Sequence, residues 1–137
     1  MAEGVRLLEE ALRHRVKPRT VYFAPSLLSA RGEKLVARFR RGRVDLEEVP
    51  ARTLTKLSDT ATPQGVVGLF ATPQKAPAEL YDRRFRNILL CEDISDPGNL
   101  GTLLRSALAF GFEMVLLCGS CAEPYSPKVL RSSVGAG

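Results

Sequence analysis

The chain contains no tryptophan, a single histidine and only three cysteines. One histidine leaves little room for a histidine-based metal centre or for a histidine relay between two copies of that residue. Three cysteines is an odd number, so a framework built entirely of paired structural disulfides is excluded, and buried or incidental thiols are expected. No apolar run approaches the roughly 20 residues of a membrane-spanning helix, and the opening MAEGVRLLEE lacks the basic-then-apolar layout of a signal peptide. A soluble protein of a reducing, cytoplasmic compartment is the expectation.

What is present is ordinary in amount and uneven in placement. The 137 residues are 45% apolar and 26% charged, which suits one ordinary or two small globular domains. The net charge of +5 lies wholly in residues 1–80, whereas residues 81–137 are balanced. Arginine exceeds lysine 15 to 5, a bias that suits bidentate phosphate contact. Two basic clusters stand out: Arg13, Arg15, Lys17 and Arg19, then Arg38, Arg40, Arg41 and Arg43. Few aromatics lie between them, so contact with a polyanion's phosphates and shape is expected rather than base stacking. Two solvated helix ends would show the same pattern, because cations are favoured at helix C-termini.

Hydrophobic spacing predicts alternating helix and strand in the first part. Val5 to Arg15 reads as an amphipathic helix stopped by Pro18, VYFA at 21–24 as a strand, and 26–39 as a helix ended by Gly42. A strand over 44–49, a helical turn or two over 53–58, and an apolar strand within 62–72 complete a compact α/β/α sandwich. In that last strand Gly65 and Gly68 would allow close backbone approach. The proline-bearing, mixed-charge stretch 73–86 reads as a linker. Beyond it, the apolar strands NILLC (87–91) and MVLLC (114–118) flank a helix over 99–110, a right-handed βαβ unit with a parallel pair, followed by a helix over 126–134. Parallel sheets are usually covered on both faces, and residues 87–137 supply too few elements to do so.

The loop Asp96-Pro97-Gly98-Asn99-Leu100-Gly101 opens straight into the helix after the first of these strands, a place that favours an anionic or polar ligand. Good turn-and-cap chemistry would use the same residues. On a helical wheel Leu100, Leu103, Leu104, Ala107, Leu108 and Phe110 form one arc, and Gly101 and Arg105 lie at its margin. The absent side chain at Gly101 would leave a lane along which Arg105 reaches the loop carrying Asn99. The alternative is an Arg105 paired with Asp93 or Asp96.

LLCEDISDPGNLGTLLRSALAFGF resembles the first signature motif of the SpoU (TrmH-like) branch of the SPOUT RNA methyltransferases, and YSPKVLRSSVGAG looks like the segment after it. The N-x-G-x-x-x-R core falls on Asn99, Gly101 and Arg105. EGVRLLEEAL and Thr62-Pro63-Gln64-Gly65-Val66 are similar to the substrate-binding domain that precedes the catalytic one. The resemblance implies an RNA substrate-binding domain at 1–72, a linker at 73–86, and at 87–137 the opening part of an α/β, trefoil-knot methyltransferase domain. It further implies methyl transfer from S-adenosylmethionine to a ribose 2′-hydroxyl of structured ribosomal or transfer RNA, without a metal, by a homodimer. Arg105 and Asn99 would be its catalytic residues: Arg105 positions phosphate and stabilises the developing alkoxide, since a guanidinium hardly ever gives up its proton, and Asn99 orients the loop. The family's Glu-Gly and Ser-Leu-Asn motifs have no counterpart before Gly137, so this stretch alone is expected to bind the cofactor weakly or not at all. An RNA-binding module without catalysis is the rival reading. Thiol exchange at Cys118-x-x-Cys121 is a remote one, because the first cysteine does not precede a helix. Zinc is remoter still, needing Cys91 and His14 as distant ligands.

Overall fold

Gly65 and Gly68 mark where the first unit is packed most tightly. In the computed structural model, which describes residues 1–72 and 85–136, Gly65 has φ +77°, and a Cβ there would sit 2.7 Å from the Leu27 carbonyl carbon. A Cβ on Gly68 would come within 2.6 Å of Leu8 Cδ2. Both glycines let a strand lie close under its neighbours, as the sequence predicts.

The elements run β1 (Ala2–Glu3), α1 (Val5–Arg13), β2 (Thr20–Phe23), a 3₁₀ turn (Pro25–Leu27), α2 (Ala30–Arg41), β3 (Asp45–Glu48), α3 (Ala51–Leu57) and β4 (Val66–Leu69). The sheet order is β1-β4-β2-β3, with β2 and β3 parallel and the other two pairings antiparallel. Strand alternation then sorts the side chains. Val67 pairs with Tyr22 and turns to one face, where Ala24, Leu54 of α3 and Val67 close a core with Leu27 and Val49. Val21, Phe23, Val66 and Gly68 turn to the other face, beneath Leu8 of α1. The α/β/α sandwich is therefore observed.

The helix expected over 26–39 is instead two pieces. Leu28 and Ser29 are extended, and the Ser29 hydroxyl accepts the Gly32 N–H at 3.2 Å, so α2 starts at a capped Ala30. Gly42 does end α2, but the left-handed residue is Arg43, at φ +54°.

Helices α1 and α2 lie side by side and are tied by Arg31, whose Nε donates to Glu9 at 3.0 Å. The hydrogen bonds and charge of Arg31 hold the Glu9 carboxyl below its ordinary value of 4.5, with Arg38 and Arg13 adding to the effect. A depressed carboxylate contributes stability that is complete above its ordinary value and disappears as pH falls through the lower, folded value. Acid unfolding of the first unit below about pH 4.5 is thus expected to be less steep in Glu9→Gln. Denaturation followed by circular dichroism between pH 3 and 6 checks it, and equal pH dependence for both proteins would contradict it.

The second unit comprises β5 (Ile88–Glu92), α4 (Pro97–Ala109), β6 (Met114–Cys118) and α5 (Pro127–Ser133). Strands β5 and β6 are parallel, in register from Ile88 opposite Met114 to Glu92 opposite Cys118. One face is covered: Leu100, Leu104 and Val129 pack with Ile94, Val115, Leu117 and Ala122. On the other, Ile88, Leu90 and Leu116 are exposed. The apolar arc of α4 is narrower than its sequence suggests. Leu100, Leu104 and Ala107 are buried with Gly101, whereas Leu108 and Phe110 are 64% and 78% exposed. The chain divides into two compact units, 1–71 and 72–137. Most of the stretch read as a linker, 73–84, lies outside the described residues.

Candidate RNA-modifying site

The start of α4 is built by its own loop. Asp96 is the N-cap, with its carboxylate accepting the Asn99 N–H at 2.7 Å, and Pro97 opens the first turn. This carboxylate caps an N–H of the first turn, as the turn-and-cap alternative expects. Lys128 Nζ of α5 stands 4.0 Å from the same carboxylate. The adjoining loops at the strand ends are stitched together. Asp93, at φ +55°, accepts the Ser120 N–H at 2.7 Å, and its N–H reaches the Cys118 carbonyl at 3.2 Å. Gly119 has φ +65°, which favours glycine, and an added Cβ there would run into Asp93 Oδ1. That lock was missed from sequence, although Gly-Ser directly after a strand is a usable signal for it.

Gly101 has a different role from the one its place on the wheel suggests. It is buried under α5, where an added Cβ would lie 2.8 Å from both Ser132 Cβ and the Val129 carbonyl oxygen. The gap is therefore filled by a helix and is no lane for Arg105. Arg105 is instead exposed on α4. Neither suggested carboxylate holds it, because Asp93 serves Ser120, and Asp96 serves Asn99 and Lys128. It makes no ion pair or hydrogen bond among the described residues. Asn99 is exposed too. Six residues apart, the two are separated by about 9 Å along the helix and about 120° around it. They are not a contacting pair, and one extended ligand would be needed to touch both.

Two thiols converge on the backbone carbonyl of the third cysteine. Cys118 Sγ and Cys121 Sγ lie 3.4 and 3.5 Å from the Cys91 carbonyl oxygen, and all three are free. Burial, then the neighbouring thiols, pushes Cys91 up, and burial followed by the Glu92 carboxylate pushes Cys118 up. Exchange chemistry needs the opposite shift. Among the described residues no group of cysteine, histidine and carboxylate could hold a metal.

In the first unit the two basic clusters meet. Arg13, Arg15, Lys17 and Arg19 lie on the way from α1 into β2, and Arg38, Arg40, Arg41 and Arg43 on the way from α2 into β3. Parallel β2 and β3 begin in register, Thr20 opposite Asp45, with the Thr20 hydroxyl donating to Asp45 at 3.2 Å. Both connections therefore enter the sheet from the same edge, and all eight cations are exposed. Arg13 is partly neutralised by Glu10 at 2.8 Å.

Comparison with known proteins follows this division. Residues 1–76 match the family described as RNA 2′-O ribose methyltransferase substrate binding, and residues 86–137 match the SpoU rRNA methylase family. Human mitochondrial rRNA methyltransferase 3 is 36% identical over 140 residues, covering 99% of this chain and 32% of its own length. The 23S rRNA (guanosine(2553)-2′-O)-methyltransferase of Bacillus subtilis is 30% identical, over 99% of this chain and 50% of its length. The SpoU methyltransferase AviRb of Streptomyces viridochromogenes, solved with AdoMet, superposes with a TM-score of 0.78 at 29% identity, covering 98% of this chain and 50% of that one. The chain thus spans a third to a half of the length of these relatives. With both family patterns matched in order along it, the chain belongs to the SpoU family of RNA methylases.

Proposed function

We propose that this chain is the RNA-gripping domain (1–72), linker (73–86) and opening catalytic segment (87–137) of an S-adenosylmethionine-dependent methyltransferase acting on a ribose 2′-hydroxyl of structured RNA. The observation that carries the reading is Arg105: an exposed guanidinium, unpaired among the described residues, on the helix that follows a parallel strand. A ribose hydroxyl is a weak nucleophile at neutral pH and gains from a fixed positive charge as its proton leaves. Arg105 supplies that charge or holds an adjacent phosphate, and Asn99 makes a second contact along the backbone. Ribosomal RNA is favoured over transfer RNA by the names of the relatives. A homodimer in a reducing, cytoplasm-like compartment is the accompanying reading, although the human relative is mitochondrial.

The residues present do not by themselves fit the cofactor. Asp93 already accepts the Ser120 N–H and Asp96 the Asn99 N–H, so both carboxylates at these strand-end loops are engaged within the chain. These residues therefore serve the acceptor side of the reaction. Calorimetry on the 137-residue chain should show no micromolar binding of S-adenosylmethionine.

The basic edge of the first unit gives RNA its grip. Binding to structured RNA is expected to weaken steeply with salt, and Arg41→Ala or Arg43→Ala to reduce the log–log salt slope by about 1 each if each contacts a phosphate. Salt-insensitive binding would refute the basic-edge contact. Binding that persists while the longer protein methylates no ribose would favour the non-catalytic module.

A further inference from the structure

A second feature of the first unit lies outside the basic edge. Because α1 precedes β2, and α2 runs back between parallel β2 and β3, the two helices lie parallel and begin at the end of the sandwich away from the two basic connections. There they border an open cavity of about 500 Å³ lined by Val5, Arg6, Leu27, Ser29, Arg31 and Gln64. Its size suits a nucleotide-sized group. Its chemistry is mixed in a specific way. Half-buried Leu27 gives the apolar wall, with Val5 buried behind it. Gln64 Oε1 is fixed by the Val5 N–H at 2.8 Å, which leaves the amide NH₂ as donor. Arg31 is held through Nε and one terminal nitrogen by Glu9, so its remaining nitrogen is presented in a set direction. Arg6 is exposed and has no ion pair or side-chain hydrogen bond among the described residues.

We propose that this cavity receives one unstacked nucleotide of the RNA, with its base against Leu27 and beside the Gln64 amide, and its phosphate on Arg6 and Arg31. The proposal rests on the reading of this unit as RNA-binding and adds where a looped-out residue is taken. Apolar contact, one fixed amide and paired guanidiniums are the groups by which single-stranded RNA positions are read, whereas a paired duplex offers no free base to enter. The basic edge then supplies affinity for any structured RNA, and the cavity supplies preference for RNA with an unpaired nucleotide.

The test uses the full chain and two RNA hairpins alike except for one bulged 2-aminopurine, whose fluorescence reports its surroundings. Wild type should bind the bulged hairpin about tenfold more tightly than the fully paired one and change the 2-aminopurine emission. Arg6→Ala, at an exposed position whose loss should leave folding intact, should abolish both the preference and the emission change and leave affinity for the paired hairpin unaltered. Gln64→Glu, which still accepts the Val5 N–H but replaces the donor NH₂ with an acceptor, should do the same. Arg41→Ala should weaken both hairpins alike. Equal binding of the two hairpins by wild type, or a preference that survives Arg6→Ala, overturns the cavity and leaves RNA binding standing. No binding of either hairpin overturns both.

Discussion

Gly101→Ala is expected to destabilise the second unit by about 2 kcal/mol, and Gly101→Val by about 3 kcal/mol or more. Alanine ordinarily strengthens a helix over glycine by about 1 kcal/mol, so a loss here has to come from packing. The new Cβ would run into Ser132 Oγ and would lie 2.8 Å from both Ser132 Cβ and a backbone carbonyl oxygen, that of Val129. The hydroxyl could turn away, but the carbonyl and the Cβ could not. Ser132 is further fixed because its hydroxyl reaches the Lys128 carbonyl at 2.9 Å and the Pro97 carbonyl at 3.2 Å, which binds α5 to the first turn of α4. Relief requires α5 to move outward, opening the Leu100–Leu104–Val129 core. Hydrogen exchange over residues 97–133 measures this directly, with the first unit as internal reference. Ser132→Ala in the Gly101→Ala background removes the nearest clash, that with Ser132 Oγ, and should recover part of the loss but not all of it, since the Val129 carbonyl and the Ser132 Cβ remain. An alanine variant as protected as wild type would show that α4 and α5 do not depend on this close approach.

The same glycine shows what the sequence could and could not convey. Periodicity placed the helices and strands of both units, and Met114–Cys118 falls where the apolar run predicts, because a strand's burial is written in consecutive residues. Which gap in a helix surface is filled by which neighbour is written in pairs of residues far apart. Gly101 and Ser132 are such a pair, and so are Asp93 and Gly119. A wheel drawn for α4 alone could therefore assign Gly101 to Arg105 and count Leu108 and Phe110 as core. The break at Leu28–Ser29 was legible in principle, since a serine three residues before Gly32 is a capping signal, but the apolar pattern runs through it. The two basic clusters were visible as clusters. That they share one edge follows only from the parallel pairing of β2 with β3.

On the proposed function, Arg105→Ala in a protein that carries this chain followed by the rest of a SpoU catalytic domain is expected to lower ribose methylation by about 100-fold to 1,000-fold, the loss typical of removing one charge-stabilising donor. Because Arg105 is exposed and holds no partner among the described residues, thermal stability should be unchanged and RNA affinity reduced only a few-fold. That combination separates a group acting on the reacting oxygen from one that merely anchors RNA: an anchor would lose affinity, with the rate at saturating RNA preserved. The pH profile separates two further possibilities. A guanidinium stays protonated across the accessible range, so it stabilises an alkoxide and removes no proton. The variant's residual rate should then rise with pH, because without the positive charge the ribose hydroxyl ionises only at higher pH, and free guanidinium ion should restore part of the activity. Arg105→Lys should recover a fraction only, since a point charge replaces a planar fork that can hold a phosphate and an oxygen together. Unchanged methylation by Arg105→Ala would move the chemistry to another residue, and Asn99, about 9 Å away along α4, is too far to replace it in the same contact.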